Sequence, residues 1–453
     1  MKFILVFVCL LGLSLGASLD RRPKPCKSPP LVTGAFTFST QNEAAWLYAG
    51  FEYDAFQERI RIYETGYYNN KSVTYDFLMH YAEGVVYQIN STAKTCTKSP
   101  LAAKWEPMGV PADASLLGQV VVGSSSGPGE GLLVNTWQGI RPDGVQYMLT
   151  VTEFGCIPVS YLAKTKEFGW IVLSYFNNVK GILNPGALDP PSFCPSQTAE
   201  PQGKPMDFFS ILHKMKKILG ASLDRRPKPC KVPPQLSGLF MFTTQKEAQL
   251  IYAEYAYDAF KERIFLYAVD DNTTMIYYYL MDFAKGVVYY VTDSYKNLTD
   301  PKCTVSPLAA KWEPLGVPTN ASFWLPYVVG SSSRPGEGVP VNTWYGYRPD
   351  GVKYIMTVTE NGCIPVTYLA KTKNYGWTIM SFMDNLREVD PRLLEPPSIC
   401  LTQTAKPQGK PMDFFSILHE MKTNSVQHNK LMKRRNPKPG RWIGDPGVCV
   451  WWI

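Results

Sequence analysis

The sequence RIRIY at residues 59–63 alternates polar and apolar side chains, which is the pattern of a β-strand with one buried face. The RPDG sequences at residues 141–144 and 348–351 are turn signals, because Pro fixes φ and Gly accepts positive φ. Further short runs of β-branched and aromatic residues, each bounded by Gly, Pro or Asn, lie at residues 84–89, 147–152 and 171–176. Short strands joined by turns predict an all-β fold built from antiparallel sheets.

The chain contains the same sequence twice. ASLDRRPKPC at residues 17–26 recurs unchanged at residues 221–230, and PQGKPMDFFSILH begins at Pro201 and again at Pro407. A repeat of this length indicates a duplicated domain and not a solenoid, whose period is far shorter. The predicted divisions are a first domain at 17–200, a basic amphipathic helix and linker at 201–220, a second domain at 221–406, and a helix with a basic, Trp-rich tail at 407–453.

The N-terminus has the features of a signal peptide spanning residues 1–16. Lys2 supplies the positive charge, an apolar run follows, and Ser14 and Gly16 place small residues before the predicted cleavage site. The apolar run is shorter than the roughly 20 residues of a membrane span. The sequence therefore predicts secretion, with a lysosomal location as the alternative.

The junction between the copies leaves two origins open. Residues 219–220 repeat residues 15–16 of the predicted signal peptide. This fits an internal duplication and equally fits two neighbouring genes joined in one product. Basic runs at 216–217, 225–226 and 433–435 are candidate processing sites, and cleavage between the copies would release two single-domain proteins.

One segment in each copy has helical spacing. Phe209, Leu212 and Met215 are three residues apart within 206–218, and Asp207 is a candidate N-cap. The segment is basic and amphipathic, which fits a helix on a membrane surface. A helix packed against its own domain is favoured, because the apolar face is narrow and short.

The charge distribution argues against nucleic-acid binding. The net charge is +8 over 453 residues. The basic residues cluster around the RRPKPC segments and the C-terminal tail, without the continuous stripe that a nucleic-acid footprint requires.

Eight of the ten cysteines fall into two matched sets of four, while Cys9 lies in the predicted signal peptide and Cys449 in the tail. In a secreted chain this pattern predicts two disulfides per domain, and spacing alone leaves three pairings open. The absence of a CxxC sequence and the presence of only four His argue against a zinc site. The matched cysteines are Cys26, Cys96, Cys156 and Cys194, followed by Cys230, Cys303, Cys363 and Cys400.

Five sequons predict N-glycosylation, and two of them, at Asn70 and Asn272, occupy equivalent positions in the repeat. The others are at Asn90, Asn297 and Asn320.

Serine hydrolysis is the catalytic chemistry to consider. GSSSG at 123–127, with Ser125 at its centre, matches the nucleophile-elbow pattern, but the second copy reads GSSSR at 330–334. A serine nucleophile also needs a positioned base, but His80 aligns with Asp282 in the second copy, and His213 and His419 lie in the helical segments beyond the fourth cysteine. A Gly- and Ser-rich surface turn is the favoured interpretation, so we predict no enzyme activity. The His residues are His80, His213, His419 and His428.

The chain is rich in aromatic residues, with 27 Tyr, 22 Phe and 11 Trp. Most of them are expected to fill a core. Aromatic side chains on the concave face of a curved sheet also suit an apolar ligand. The pocket candidates recur in both copies: Trp105, Trp137 and Tyr147, with Trp312, Trp344 and Tyr354.

Several motifs in a fixed order around four cysteines resemble the ependymin-related proteins, and the resemblance runs from the first to the fourth cysteine of both copies. In the first copy the motifs are CKSPPLVTG at 26–34, YDA at 53–55, GVVY at 84–87, EFGCIPV at 153–159 and PPSFC at 190–194.

This resemblance implies a fold of two stacked, strongly curved antiparallel sheets around an apolar pocket, similar to bacterial lipoprotein carriers. It also implies calcium binding, without indicating the ligand residues, and a disulfide pairing of first to third and second to fourth cysteine. The pairs are Cys26–Cys156, Cys96–Cys194, Cys230–Cys363 and Cys303–Cys400.

Two functions follow as hypotheses. The first is a secreted glycoprotein that binds lipid or another apolar small molecule. The alternative is a structural or adhesive glycoprotein that contacts extracellular-matrix proteins. The family resemblance implies a homodimer, and the duplication offers an intramolecular domain pair instead.

Overall fold

The computed structural model describes residues 22–40, 46–68, 71–165, 169–196, 198–215, 227–244, 250–270, 275–294, 302–348, 351–372, 376–401, 410–418 and 421. Strands make up 56% of the structure and helices 7%, so the predicted all-β class is confirmed. The predicted signal peptide, the basic runs at 216–217, 225–226 and 433–435, and the Trp-rich tail lie outside the described residues.

The chain separates into two compact units. The first comprises Met1–Ala248 and Pro314–Val389, and the second comprises Gln249–Glu313 and Asp390–Ile453. The first copy lies within the first unit, whereas the second copy is divided between the two. The domain boundaries derived from the repeat stay a prediction.

The first copy forms one antiparallel sheet of eleven strands in the order β6-β5-β4-β3-β2-β1-β11-β10-β9-β8-β7. Two meanders are joined where β1 pairs with β11. The strands are β1 (Leu31–Thr40), β2 (Trp46–Asp54), β3 (Arg59–Tyr68), β4 (Lys71–His80), β5 (Val85–Asn90), β6 (Thr95–Pro100), β7 (Ser115–Gly123), β8 (Gly131–Ile140), β9 (Gln146–Thr152), β10 (Pro158–Thr165) and β11 (Gly169–Lys180).

Strand β3 has the alternating burial that the RIRIY sequence predicts. Ile62 has no exposed surface and belongs to the main core. Arg59 and Arg61 face the other side of the sheet, because successive side chains of a strand alternate. There Arg61 pairs with Asp76, and Arg59 donates to the Leu188 carbonyl at 3.0 Å. The Arg59 bond, together with one from Arg61 to the Ala187 carbonyl at 2.5 Å, attaches the 3₁₀ turn Pro185–Leu188 to the outer face of the sheet.

A helix follows the sheet of the first copy. The segment before it runs along β6, with the Gln202 amide donating to the Lys98 carbonyl at 2.7 Å. Helix α1 (Phe208–Met215) then begins, and Asp207 caps it by accepting a 2.7 Å hydrogen bond from the Ser210 amide. The described helix is shorter than the predicted range 206–218, whose last residues lie outside the described chain.

The second copy follows the same order along the chain and is described by unit. In the first unit the antiparallel order is β12-β22-β21-β20-β19-β18, and in the second unit β13 to β17 form a meander. Its strands are β12 (Gln235–Thr244), β13 (Leu250–Asp258), β14 (Arg263–Asp270), β15 (Met275–Asp282), β16 (Val287–Ser294), β17 (Lys302–Pro307), β18 (Ser322–Gly330), β19 (Gly338–Tyr347), β20 (Lys353–Thr359), β21 (Pro365–Thr372) and β22 (Gly376–Leu386).

Within the first unit, equivalent residues of the two copies make reciprocal contacts. Asn178 donates to the Gly330 carbonyl at 2.8 Å, and its equivalent Asn385 donates to the Gly123 carbonyl at 2.7 Å. Two ion pairs between the copies are reciprocal in the same way: Lys180 pairs with Glu337, and Arg387 pairs with Glu130. Residues of both copies also share one buried apolar cluster, which includes Leu132, Val134, Val159, Val329, Val339 and Val341.

We expect Asn385→Ala to lower the free energy of unfolding by about 1–3 kcal/mol, because it removes a buried donor from the Gly123 carbonyl. The measurement is the midpoint of urea unfolding. Asn361→Ala, at an exposed turn position, is the matched control and should leave the midpoint unchanged. Equal midpoints for both variants would show that this contact contributes nothing.

Candidate functional site

The three pocket candidates of the first copy belong to one core. Trp105 stacks on Tyr53 with ring centroids 5.4 Å apart and meets Tyr81 edge-on at 5.1 Å. Trp137 and Tyr147 are 2% and 5% exposed in the same cluster. We call this group of five side chains the aromatic core.

Helix α1 contributes to the same cluster. Ile211, Leu212 and Met215 have no exposed surface, and Phe208 and Phe209 pack against the cluster from its edge. The helix therefore supplies apolar side chains to the same cluster as the residues that the sequence analysis proposed as a ligand pocket. This confirms that α1 packs against its own domain.

A cation lies beside the helix. Arg141 belongs to the turn between β8 and β9, and its guanidinium carbon lies 6.0 Å from the centre of the Phe209 ring. Burial lowers the pKa of Arg141, but a hydrogen bond with Tyr161 and nearby negative charges outweigh it, so the pKa is raised. Its Nε is buried without a hydrogen-bond partner among the described residues. The sequence interpretation treated Arg141 only as part of a turn, although Arg348 stands at the equivalent position.

Two tyrosine side chains of the same domain, Tyr161 and Tyr81, have raised pKa values. Burial raises the pKa of Tyr161, and the hydrogen bond with Arg141 opposes the shift. Burial raises the pKa of Tyr81 to about 12, with further contributions from the negative charges of Asp207 and Glu106. Tyr161 stacks on Tyr147 with ring centroids 6.1 Å apart, so the aromatic core has one end that carries a hydroxyl and the guanidinium bonded to it.

The candidates of the second copy fall in different units. In the second unit Trp312 stacks on Tyr257 at 5.6 Å and meets Phe283 at 5.1 Å. In the first unit Trp344 contacts Phe323 at 5.2 Å, and Tyr354 stacks on Tyr368 at 6.0 Å. The contacts of Trp312 and Tyr354 repeat those of Trp105 and Tyr147 in the first copy, whereas Leu116 stands opposite Trp137 where the second copy has Phe323 opposite Trp344.

Glu64 is a buried carboxyl on the core side of β3, the side shared with Ile62. It is 5% exposed, and its Oε2 has no hydrogen-bond partner among the described residues. Burial raises its pKa to about 8, opposed by a hydrogen bond with the Tyr48 backbone. The equivalent residue of the second copy is Ala268.

We expect stability to fall as pH rises from about 4.5 to about 8, because folded Glu64 holds a proton that the unfolded chain releases. Its contribution is most favourable below the unfolded pKa and is lost as pH rises through the folded pKa. Glu64→Gln should flatten this part of the profile, measured as melting temperature against pH. Glu200→Gln, at an exposed position, should keep the wild-type slope. An unchanged slope in Glu64→Gln would contradict the assignment.

The nucleophile-elbow match is a turn. Ser124 is fully buried and accepts a hydrogen bond from the Ser126 amide at 3.0 Å, whereas Ser125 is exposed. Ser126 in turn accepts from the Arg387 amide of the other copy. The one His side chain that the structure describes, His80, contacts Glu83 and the Leu188 carbonyl.

Among the residues that the structure describes there are four disulfides, as expected for two per copy. Each copy joins its first cysteine to its third and its second to its fourth, which is the pairing implied by the family resemblance. The bonds are Cys26–Cys156, Cys96–Cys194, Cys230–Cys363 and Cys303–Cys400.

Two glycosylation candidates, Asn90 and Asn320, are exposed, and the other three lie outside the described residues. Across the described ranges, no group of three or more His, Cys, Asp or Glu side chains could hold a metal ion. The part of the chain that the structure describes also contains no helix of sufficient length and apolarity to span a membrane.

Comparison with known families finds one matching family model, described as Ependymin, at residues 69–194 and 271–400, which is more than half of the chain. Ependymin-2 of Carassius auratus is 31% identical over 211 residues, covering 46% of this chain and 95% of the relative. Mammalian ependymin-related protein 1 of Mus musculus is 28% identical over 200 residues, covering 43% and 85%.

Solved structures offer only distant likenesses. An uncharacterized conserved protein from Thermus thermophilus has a TM-score of 0.24 and 12% identity, covering 38% of this chain and 89% of the other. MucB, in its complex with MucA(peri), has a TM-score of 0.20 and 8% identity, covering 82% and 94%. Scores this low do not establish a shared fold.

Proposed function

Because the chain belongs to the ependymin family, we propose that it is a secreted, disulfide-bonded glycoprotein that binds lipid-like apolar molecules and performs no catalysis. The observation that carries the proposal is the aromatic core of the first copy, which ends in Arg141 and Tyr161. Apolar ligand sites combine a mainly hydrophobic lining with a few polar groups that orient the ligand.

The contacts of the aromatic core support a lipid ligand over a polar one. Trp105 and Tyr81 present stacked and edge-on ring surfaces, which suit an alkyl chain. The Arg141 guanidinium is held by a hydrogen bond with Tyr161 and an ion pair with Asp143 at 3.3 Å, so it is oriented before a ligand arrives. A polar metabolite would leave most of this surface without a partner.

A structural or adhesive extracellular glycoprotein is the second candidate. The observation that favours it is the position of α1, whose apolar side chains already cover part of the aromatic core. In that function the sheets would act as a rigid scaffold for glycans and for contacts with matrix proteins. The two candidates differ in whether lipid accompanies the purified protein.

We expect native mass spectrometry of the chain, secreted from an oxidising eukaryotic host, to show bound species in the lipid mass range. Denaturation should release them for identification. Repeating the measurement with calcium and with a chelator tests whether binding depends on calcium. A ligand-free protein with all four disulfides intact would reject the lipid-binding proposal in favour of the structural one.

We expect Trp105→Ala to reduce the lipid-bound fraction, because it removes the ring that bridges Tyr53 and Tyr81. Tyr347→Ala, which truncates an aromatic residue that is 62% exposed, is the control and should retain wild-type occupancy. Circular dichroism establishes that both variants are folded. Equal occupancy in both would show that the ligand binds elsewhere.

A further inference from the structure

We propose that helix α1 occupies the ligand site of the first copy, and that an amphiphile with an anionic head group binds by displacing the helix and placing its head group on Arg141 and Tyr161. This inference rests on the proposed lipid-binding function. It deepens that function by naming the site, the ligand class and the segment that competes with the ligand.

The position of α1 in the chain and in the core supports its role as a replaceable occupant. The family-model match ends at Cys194, so the helix lies beyond the part of the domain that matches the family. The eight residues over which it is described are too few to form a stable helix in isolation, so this part depends on the core it enters. The side chains that enter are Ile211, Leu212 and Met215.

Those three side chains give the core the same kind of apolar contact that an alkyl chain would give. They contribute only aliphatic and thioether surface to a core lined by Trp105, Trp137 and Tyr147. Neither the helix side chains nor an alkyl chain needs a hydrogen bond to the core. Replacement of the helix by an alkyl chain would therefore keep the aromatic core buried.

The attachment of the helix allows it to leave without disturbing the sheet. The preceding segment is held by backbone hydrogen bonds to β6 and the residues just after it. The last two join the Met206 amide to the Pro100 carbonyl at 3.0 Å and the Ala102 amide to the Met206 carbonyl at 2.8 Å. Beyond Met206, the described contacts of the helix with the sheet are made by side chains. A change of backbone angles at Asp207 would move α1 and leave these backbone bonds intact.

Charge determines which head group fits. The ring of Phe209 covers the Arg141 guanidinium, and Asp207 places a negative charge near Tyr81. Departure of the helix would remove the Phe209 ring from the Arg141 guanidinium, which pairs with Asp143 at 3.3 Å and whose buried Nε has no partner among the described residues. A carboxylate or phosphate accepts hydrogen bonds from a guanidinium and a tyrosine hydroxyl, whereas an ammonium head group would be repelled.

The test uses the full-length chain with cis-parinaric acid as a fluorescent fatty acid and its methyl ester as the uncharged analogue. The double variant Ile211→Asp/Leu212→Asp puts two charges on the buried face and should expel the helix. We expect it to bind cis-parinaric acid at least ~10-fold more tightly than the wild type, because the competing occupant is removed. Lys204→Asp, an exposed change in the same segment, is the control and should bind as the wild type does.

Arg141→Gln, introduced into the double variant, tests the head-group assignment. Binding of cis-parinaric acid should weaken by about tenfold, whereas binding of the methyl ester should change little, because only the acid interacts with the cation. Equal losses for the acid and the ester would overturn the role of Arg141.

Hydrogen–deuterium exchange of the wild type provides a readout that does not require the double variant to fold. Saturation with cis-parinaric acid should accelerate amide exchange in residues 208–215 if the ligand displaces the helix. Binding with unchanged or slower exchange there would overturn the displacement and leave the proposed function standing. Absence of probe binding by the wild type, the double variant and the control would reject the proposed function itself.

Discussion

The pairing of β1 with β11 is the constraint on which the first copy depends. It joins two meanders into one sheet, with Val32 opposite Lys180 at one end and Thr40 opposite Ile171 at the other. The register shifts next to Gly34, where a Cβ atom would lie 2.5 Å from Asn178 Oδ1 and 2.8 Å from a ring atom of Phe51. A side chain at that position would therefore separate the strands whose pairing closes the fold.

The same pairing determines how the two copies meet within the first unit. Asn178 is aligned by β11, next to Gly34, and its amide group donates to Gly330 of the second copy. Asn385 makes the equivalent bond to Gly123, and Gly238 stands opposite it in the place of Gly34. Because each copy supplies both the donor and the acceptor surface, a duplicated sequence can form this contact without any new residue.

The aromatic core has two roles that oppose each other. As part of the fold it must be covered, since exposed aromatic surface of this size is costly in water. As a ligand site it must become available. An amphipathic helix attached to the edge of the sheet meets both requirements, because its side chains belong to the same buried cluster as Trp137 and Tyr147.

The sequence alone determined the local features of this protein. Alternation at 59–63 indicated a strand, the spacing of Phe209, Leu212 and Met215 indicated a helix, and matched cysteines indicated two disulfides per copy. These patterns are readable because burial on one face of a strand or helix repeats with a fixed period. The pocket candidates Trp105, Trp137 and Tyr147 were also identified in this way, from their recurrence and aromatic character.

Only the tertiary structure decided which distant segments meet. The pairing of β1 with β11, the placement of Arg141 against Phe209, and the burial of Glu64 all join or enclose residues far apart in the chain. No local pattern encodes such partners, because the RPDG turn at Arg141 has the same sequence whether its guanidinium meets water or a helix. The sequence therefore indicated the parts of the site, and long-range packing determined that a helix, a cation and an aromatic core form one surface.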